Sequence, residues 1–181
     1  GTTVIAAKGV TVTSGIPGAD DEGLSLILAT DGGLVSAGVT SDSSGGYVNV
    51  NAAGDIQLMG GILSGGTSNN DVITWGSKPS TIRIETTGQA WIGGRTVDIN
   101  NTPVEVGGRL YAAQRIEIIG GSHPSDGVGV NMPGSAYVTV RNPNGEIIIR
   151  SAQDAVVSAV LAAGGEIITH KDPNNFTIGV T

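Results

Sequence analysis

The sequence predicts an all-β protein, a parallel β-helix in which short strands stack coil upon coil, and three observations carry that expectation. Apolar residues alternate with polar ones at a period of two along most of the chain, and helical spacing is almost nowhere found. Glycines, 30 in 181 residues, punctuate the runs, often in pairs. Val, Ile, Leu and Ala supply the apolar volume, because there are only three tyrosines, two tryptophans and one phenylalanine. A core so poor in large rings suits narrow repetitive packing better than one thick globule.

In chain order, one template recurs. Val10-Thr11-Val12, Leu26-Ile27-Leu28, Val48-Asn49-Val50, Ile82-Arg83-Ile84, Val97-Asp98-Ile99, Ile116-Glu117-Ile118 and Val138-Thr139-Val140 each place two apolar side chains on one face of a short strand. Most are followed by a second short strand beside glycine, as in Gly54-Asp55-Ile56-Gln57-Leu58, Gln89-Ala90-Trp91-Ile92-Gly93-Gly94 and Val104-Glu105-Val106-Gly107-Gly108. From Thr11 through Asn49, Arg83, Asp98 and Glu117 to Thr139 the steps are 38, 34, 15, 19 and 22 residues. Extra candidate strands at Ile27 and at Val72-Ile73-Thr74 divide the long steps, so coils of roughly 15 to 24 residues are expected, the range of a β-solenoid. Glycine pairs then fall at the corners, where positive φ is needed. The alternative is an antiparallel β-sandwich, for which the two-residue hairpin turns are few, Asp31-Gly32 and Asn144-Gly145 being the best.

Residues 1–181 read as a single β-solenoid domain. Ile56, Leu58, Ile82, Ile84, Val97, Ile99, Ile116 and Ile118 are expected to form one stacked core, and the same parity turns Arg83, Glu85, Asp98, Arg115 and Glu117 outward, where opposite charges on successive coils can pair. Strand-like sequence near both ends, at Thr3-Val4-Ile5-Ala6 and Phe176-Thr177-Ile178-Gly179-Val180, has no amphipathic helix to cover it. Head-to-tail self-association, or continuation as a segment of a longer rod, is the expected remedy for such open edges.

Nine Lys and Arg against 16 Asp and Glu leave a net charge of −7, which argues against nucleic acid as a partner. The apolar runs are too short for membrane insertion as a helix. With no cysteine, disulfides are excluded.

The chemistry-bearing residues are sparse. Asp20, Asp21 and Glu22 crowd three carboxylates into one loop, a weak calcium candidate that lacks both EF-hand spacing and the repeats of calcium-binding rolls; a solvated acidic turn is the plainer reading. Ser122, His123 and Asp126 supply the residue types of a hydrolase triad, but from a single loop and without a G-x-S-x-G elbow. His170 lies in a second proline-containing loop. Trp75 and Trp91 are the only large platforms for a sugar ring, and each sits in a strand-like run where core or corner packing is expected. Thr11 and Thr13 make one Thr-x-Thr pair of the kind an ice-binding face repeats, and it does not recur. Accordingly no catalytic residue, no cofactor-binding residue and no enzyme activity is expected.

The stretch from Tyr47-Val48-Asn49-Val50-Asn51-Ala52-Ala53-Gly54-Asp55-Ile56 to Gln57-Leu58-Met59-Gly60-Gly61-Ile62-Leu63-Ser64 resembles the repeats of filamentous-haemagglutinin-type proteins and related giant bacterial surface adhesins. Similar phrases occur from Val4 to Val12 and from Ala155 to Thr169, while the uneven coil lengths and the insert from Gly65 to Asn70 depart from the pattern. The resemblance implies a right-handed parallel β-helix, an extracellular location at the cell surface, and a structural or adhesive role in a rod or filament, with surface glycans or neighbouring cells as ligands. The alternative is a carbohydrate-binding or carbohydrate-active β-helix of the polysaccharide-lyase kind.

Overall fold

The computed structural model describes residues 4–6, 9–14, 24–37, 45–69, 72–75, 79–93, 95–99, 102–106 and 108–171, and among them the regular elements are all strands. In chain order these are β1 (Val4–Ala6), β2 (Gly9–Ser14), β3 (Leu24–Ala37), β4 (Tyr47–Ala52), β5 (Asp55–Ser64), β6 (Gly66–Asn69) and β7 (Val72–Trp75). There follow β8 (Thr81–Thr86), β9 (Ala90–Ile92), β10 (Arg95–Ile99), β11 (Thr102–Val106), β12 (Arg109–Ala112) and β13 (Arg115–Gly120). The last six are β14 (Val128–Met132), β15 (Tyr137–Val140), β16 (Glu146–Ser151), β17 (Asp154–Val157), β18 (Val160–Ala163) and β19 (Ile167–Lys171).

Two large sheets hold most of these strands, and every pairing within them is parallel, unlike the sheets of an antiparallel sandwich. The first array, a sheet of its own, runs β2-β4-β8-β13-β16-β19. The other sheet divides into two arrays because β3 and β5 are long enough to join both. The first halves of these strands continue into β9, β14 and β17, and their second halves continue into β12, β15 and β18. Within β5 the change of array falls at Gly60, whose φ of 128° a side chain would disfavour.

The chain passes through the three arrays in turn and then returns to the first. Register fixes each return: Val10 pairs with Val48, Val48 with Ile82, Ile82 with Ile116, Ile116 with Ile147 and Ile147 with Ile167, steps of 38, 34, 34, 31 and 20 residues. The final step lies within the expected coil range. Both 34-residue steps are longer because each contains an antiparallel hairpin: β6 with β7 in one, β10 with β11 in the other.

These hairpins correct part of the sequence reading. Val97-Asp98-Ile99 does not begin a coil, since Val97 pairs with Val104 inside the second hairpin; Val97 and Ile99 therefore lie outside the stacked arrays, and Asp98 is not part of the charged ladder. Arg83 to Glu117 is a single step. Val72-Ile73-Thr74 and the insert beginning at Gly65 form the first hairpin, and Val138-Thr139-Val140 belongs to the third array. A period of two cannot tell a stacked strand from a hairpin strand, because both alternate sides. The distinguishing signal was the polar dipeptides between paired ends, Asn70-Asp71 after Asn69↔Val72 and Asn100-Asn101 after Ile99↔Thr102, which suit two-residue connections.

The core lies between the arrays. Val48, Val50, Ile82, Ile84, Ile116, Ile118, Ile147 and Ile149 of the first array are completely or almost completely buried against Ile56, Leu58, Ile92 and Met132 of the second and Ile62, Leu110 and Val138 of the third. Register places like against like: Val50, Ile84, Ile118 and Ile149 stack in one column, so each β-branched residue packs above another. Burying one such side chain stabilises the fold by about 1.5–3 kcal/mol. Of the eight expected core residues, the six outside the hairpin share this cluster.

Candidate functional site

Outward positions on β8, β13 and β16 of the first array form a charged ladder. Glu117 is paired in register with Arg83, which donates to it through Nη1; Arg150 approaches it at 3.3 Å and Arg115 at 3.6 Å. Arg83 also donates to Glu85 at 2.8 Å, and Arg115 lies 3.6 Å from Glu146. Glu117 keeps only 10 % of its side chain exposed despite facing outward, because three guanidinium groups surround it. Partial burial works against the charge on Arg83, but Glu85 and Glu117 outweigh it and raise its pKa above the ordinary arginine value.

A second polar seam runs along the corner between the first and second arrays. Asp55 and Gln89 hold equivalent places, each one residue before the paired Ile56 and Ala90, and the Gln89 amide donates to Asp55 Oδ1 at 2.7 Å. Gln89 Nε2 then donates to Asp126 Oδ2 at 3.0 Å and to the Val128 carbonyl at 2.9 Å. From the same loop, the His123 amide donates to Gln153 Oε1 at 2.7 Å, so four successive corners are joined.

The His123 ring sits within this seam. Its Nδ1 is 2.9 Å from Asp126 Oδ1 and 3.1 Å from Ser125 Oγ, and its Nε2 is 3.3 Å from Asp55 Oδ2. Ser122 is exposed, and the hydroxyl that meets the imidazole is that of Ser125. A hydrolase needs one ring nitrogen on a nucleophile and the other on a single orienting carboxylate. Here carboxylates face both nitrogens, and the arrangement cross-links corners. The Val128 amide, donating at 2.9 Å, is the main reason that the Asp126 carboxyl lies below its ordinary pKa; desolvation opposes it next in size, and Gln89 and His123 add lesser lowering contributions.

The outer surface of the third array has a different character. Its outward positions on β12 and β15 are Arg109, Tyr111, Tyr137 and Thr139, with Arg109 paired to Tyr137 and Tyr111 to Thr139. The rings of Tyr111 and Tyr137 lie 5.9 Å apart, tilted by 45°, and Tyr137 is 38 % exposed. Arg141, one residue beyond β15, places its guanidinium 5.9 Å from the Trp75 ring, which arrives on the β6–β7 hairpin. A ring face and a cation at that distance attract through the ring quadrupole. The two hairpins are inserted at the two borders of this array, β10–β11 just before β12 and β6–β7 just after β5.

The tryptophans thus differ from the core or corner packing expected of both. Trp91 is 37 % exposed because Ala90 and Ile92 take the inward positions on either side of it, and Trp75 is half-buried against Arg141. Thr11 and Thr13 are exposed on β2, and His170 is exposed on β19 in register with Arg150. Asp20, Asp21 and Glu22 lie outside the described residues, as does the stretch from Phe176 to Val180. Among the described residues no group of three or more His, Asp or Glu side chains is arranged to hold a metal ion. The aromatic face was not foreseen, because its members come from three separate strands; the signal available was Tyr111 and Tyr137, two of only three tyrosines, each two positions from another outward residue. No family model matches the chain, and neither curated proteins nor solved structures give a match to it.

Proposed function

We propose that this chain is a segment of a right-handed parallel β-helix serving as a non-catalytic structural and adhesive rod outside a bacterial cell. The observation that carries the reading is the ordered return of the chain through the same three arrays in constant register. Each return adds about 4.8 Å along the stack without widening it, which is how a rod grows. The likeness of residues 47–64 to adhesin repeats supports the location and the role. At the β17–β19 end the inward-facing Ala155, Val157, Leu161 and Ala163 are only partly buried, and Ile167, in register with the inward Ile147, is 44 % exposed. Such an apolar end invites a further coil or the head of a second copy, so self-association or continuation belongs to the same proposal.

Sedimentation velocity over a wide concentration range, with electron microscopy of the native chain, tests this. Elongated particles, or a species that lengthens with concentration, are expected; a compact particle of near-spherical friction at every concentration would overturn the reading. A second reading, that of a carbohydrate-binding β-helix, draws its support from the Tyr111, Tyr137, Trp75 and Arg141 grouping.

A further inference from the structure

We infer that the outer face of the third array is a binding site for an acidic, uronate-bearing polysaccharide, with Tyr137 and Tyr111 as ring platforms and Arg109 as the carboxylate anchor. The inference deepens the carbohydrate-binding reading and rests on it. It starts from charge. The protein carries a net −7, yet the outward positions of β12, β15 and β18, namely Arg109, Tyr111, Tyr137, Thr139, Val160 and Ala162, include an arginine and no acid, while on β5 the outward Leu63 is covered, only 1 % exposed. Arg141 adds a second cation beside them. On the first array the charge of the outward arginines Arg83, Arg115 and Arg150 is met by Glu117 at the same surface. A basic aromatic surface on an acidic protein selects for a ligand that is both anionic and rich in flat apolar faces.

Geometry then chooses the class. Arg109 and Tyr137 are register partners on neighbouring strands, about 4.8 Å apart across the ladder. A pyranose ring laid on Tyr137 therefore brings a carboxylate substituent within the span of the Arg109 guanidinium, whose planar fork matches carboxylate oxygens two by two. Tyr111, 5.9 Å from Tyr137 and tilted to it, offers a second ring face, and Trp75 over Arg141 extends the aromatic surface toward the β6–β7 border. A chain of linked sugars repeats both features and can occupy several of these positions at once. Nucleic acid also stacks and carries charge, and the net −7 opposes every polyanion alike, so single-stranded DNA is the competing occupant that the titration has to exclude.

The test is titration of the intact chain with hexagalacturonate, with its fully methyl-esterified form as a ring-matched neutral control and a sulfated glycan and single-stranded DNA as other polyanions. Hexagalacturonate is expected to bind, and the neutral ester to bind at least about tenfold more weakly. Arg109→Ala and Tyr137→Ala should each lower the affinity about three- to tenfold, in line with one lost charge-assisted or stacking contact. Trp91→Ala, on the second array, should leave it unchanged, and unaltered melting temperatures would show that the variants fold. Absence of hexagalacturonate binding, equal binding of the neutral ester, preferential binding of the sulfated glycan or DNA, or indifference to Arg109→Ala and Tyr137→Ala would each overturn the proposal. These failures show in titration, whereas failure of the rod reading shows in sedimentation, so the two are distinguishable.

Discussion

Ile84 and Arg83 are adjacent on β8, yet their substitution should have very different consequences. Ile84 is fully buried in the column between Val50 and Ile118, while the Arg83 side chain is 42 % exposed on the opposite face. Ile84→Ala removes a buried side chain and leaves a cavity in a stack whose neighbours are held by two ladders of hydrogen bonds, so little relaxation is available; about 2–5 kcal/mol is expected. Ile84→Asp adds a carboxylate with no partner among aliphatic neighbours and should exceed the alanine cost, on a total stability of about 5–15 kcal/mol. Arg83→Ala breaks its contacts with Glu85 and Glu117, but Arg115 and Arg150 still attend Glu117, so about 1 kcal/mol or less is expected. At about 2–4 °C per kcal/mol, the melting temperature should fall by roughly 4–20 °C for Ile84→Ala and by a few degrees at most for Arg83→Ala. Val97→Asp, in the β10–β11 hairpin, should cost less than Ile84→Asp. Thermal and urea unfolding followed by circular dichroism read all four; a stack can lose its end strands before its middle, so transitions should be compared by two probes. Equal losses for Ile84→Ala and Arg83→Ala, or a larger loss for Val97→Asp than for Ile84→Asp, would refute the assignment of inner and outer faces.

Three further outcomes follow from the corner seam and the acidic loop. His123→Ala removes the ring contacts to Asp55 and Asp126 and should destabilise by about 1 kcal/mol, with hydrogen exchange quickening at residues 121–128; unchanged exchange there would count against a cross-linking role. Because the folded state holds the Asp126 carboxyl below its ordinary pKa, its contribution is present above the unfolded value near 3.9 and disappears as pH falls through the lower folded value. Protection of the Val128 amide should therefore weaken on acidification into that range, and Asp126→Asn should remove that pH dependence. A chelator should move the melting temperature by less than about two degrees; a larger fall, absent in an Asp20→Asn, Asp21→Asn double variant, would turn Asp20, Asp21 and Glu22 into a calcium site.

Much of the fold was legible because the inner face admits few solutions. A parallel stack buries every second residue of every coil against its copies above and below, so Val48-Asn49-Val50, Ile82-Arg83-Ile84 and Ile116-Glu117-Ile118 carry the same pattern at the same place. The Arg83 to Glu117 contact across neighbouring strands followed from that parity. The hairpins were hidden for the same reason: Val97-Asp98-Ile99 obeys the period of two while pairing with residues a few positions away instead of a coil away. The candidate binding face was less legible still. Arg109, Tyr137 and Trp75 are far apart in sequence and converge only through the register of β12 with β15 and the placement of the β6–β7 hairpin. The sequence also brought Ser122, His123 and Asp126 together without revealing that Asp55, Gln89 and Gln153 from other corners complete the network.

The division of labour between the faces bears on function. Inward positions are fixed by packing, and several outward positions of the first array, Arg83, Glu85, Arg115, Glu117, Glu146 and Arg150, are joined by ion pairs between neighbouring strands. Tyr137 contributes to neither: it points away from the core, keeps more than a third of its surface in water, and is followed two positions on by a threonine that meets the same outward requirement with a small side chain. An exposed ring of that size costs solvation and returns little to a fold whose core is complete beneath it. The half-buried Trp75 ring is carried on a hairpin that the stack does not need in order to return to register, as the 20-residue step from Ile147 to Ile167 demonstrates. Tyr137 and Trp75, on the same side as Arg109 and Arg141 and with the hairpins inserted before β12 and after β5, are the positions on which the proposed binding face depends, and substituting them should cost the stack little while weakening the proposed binding.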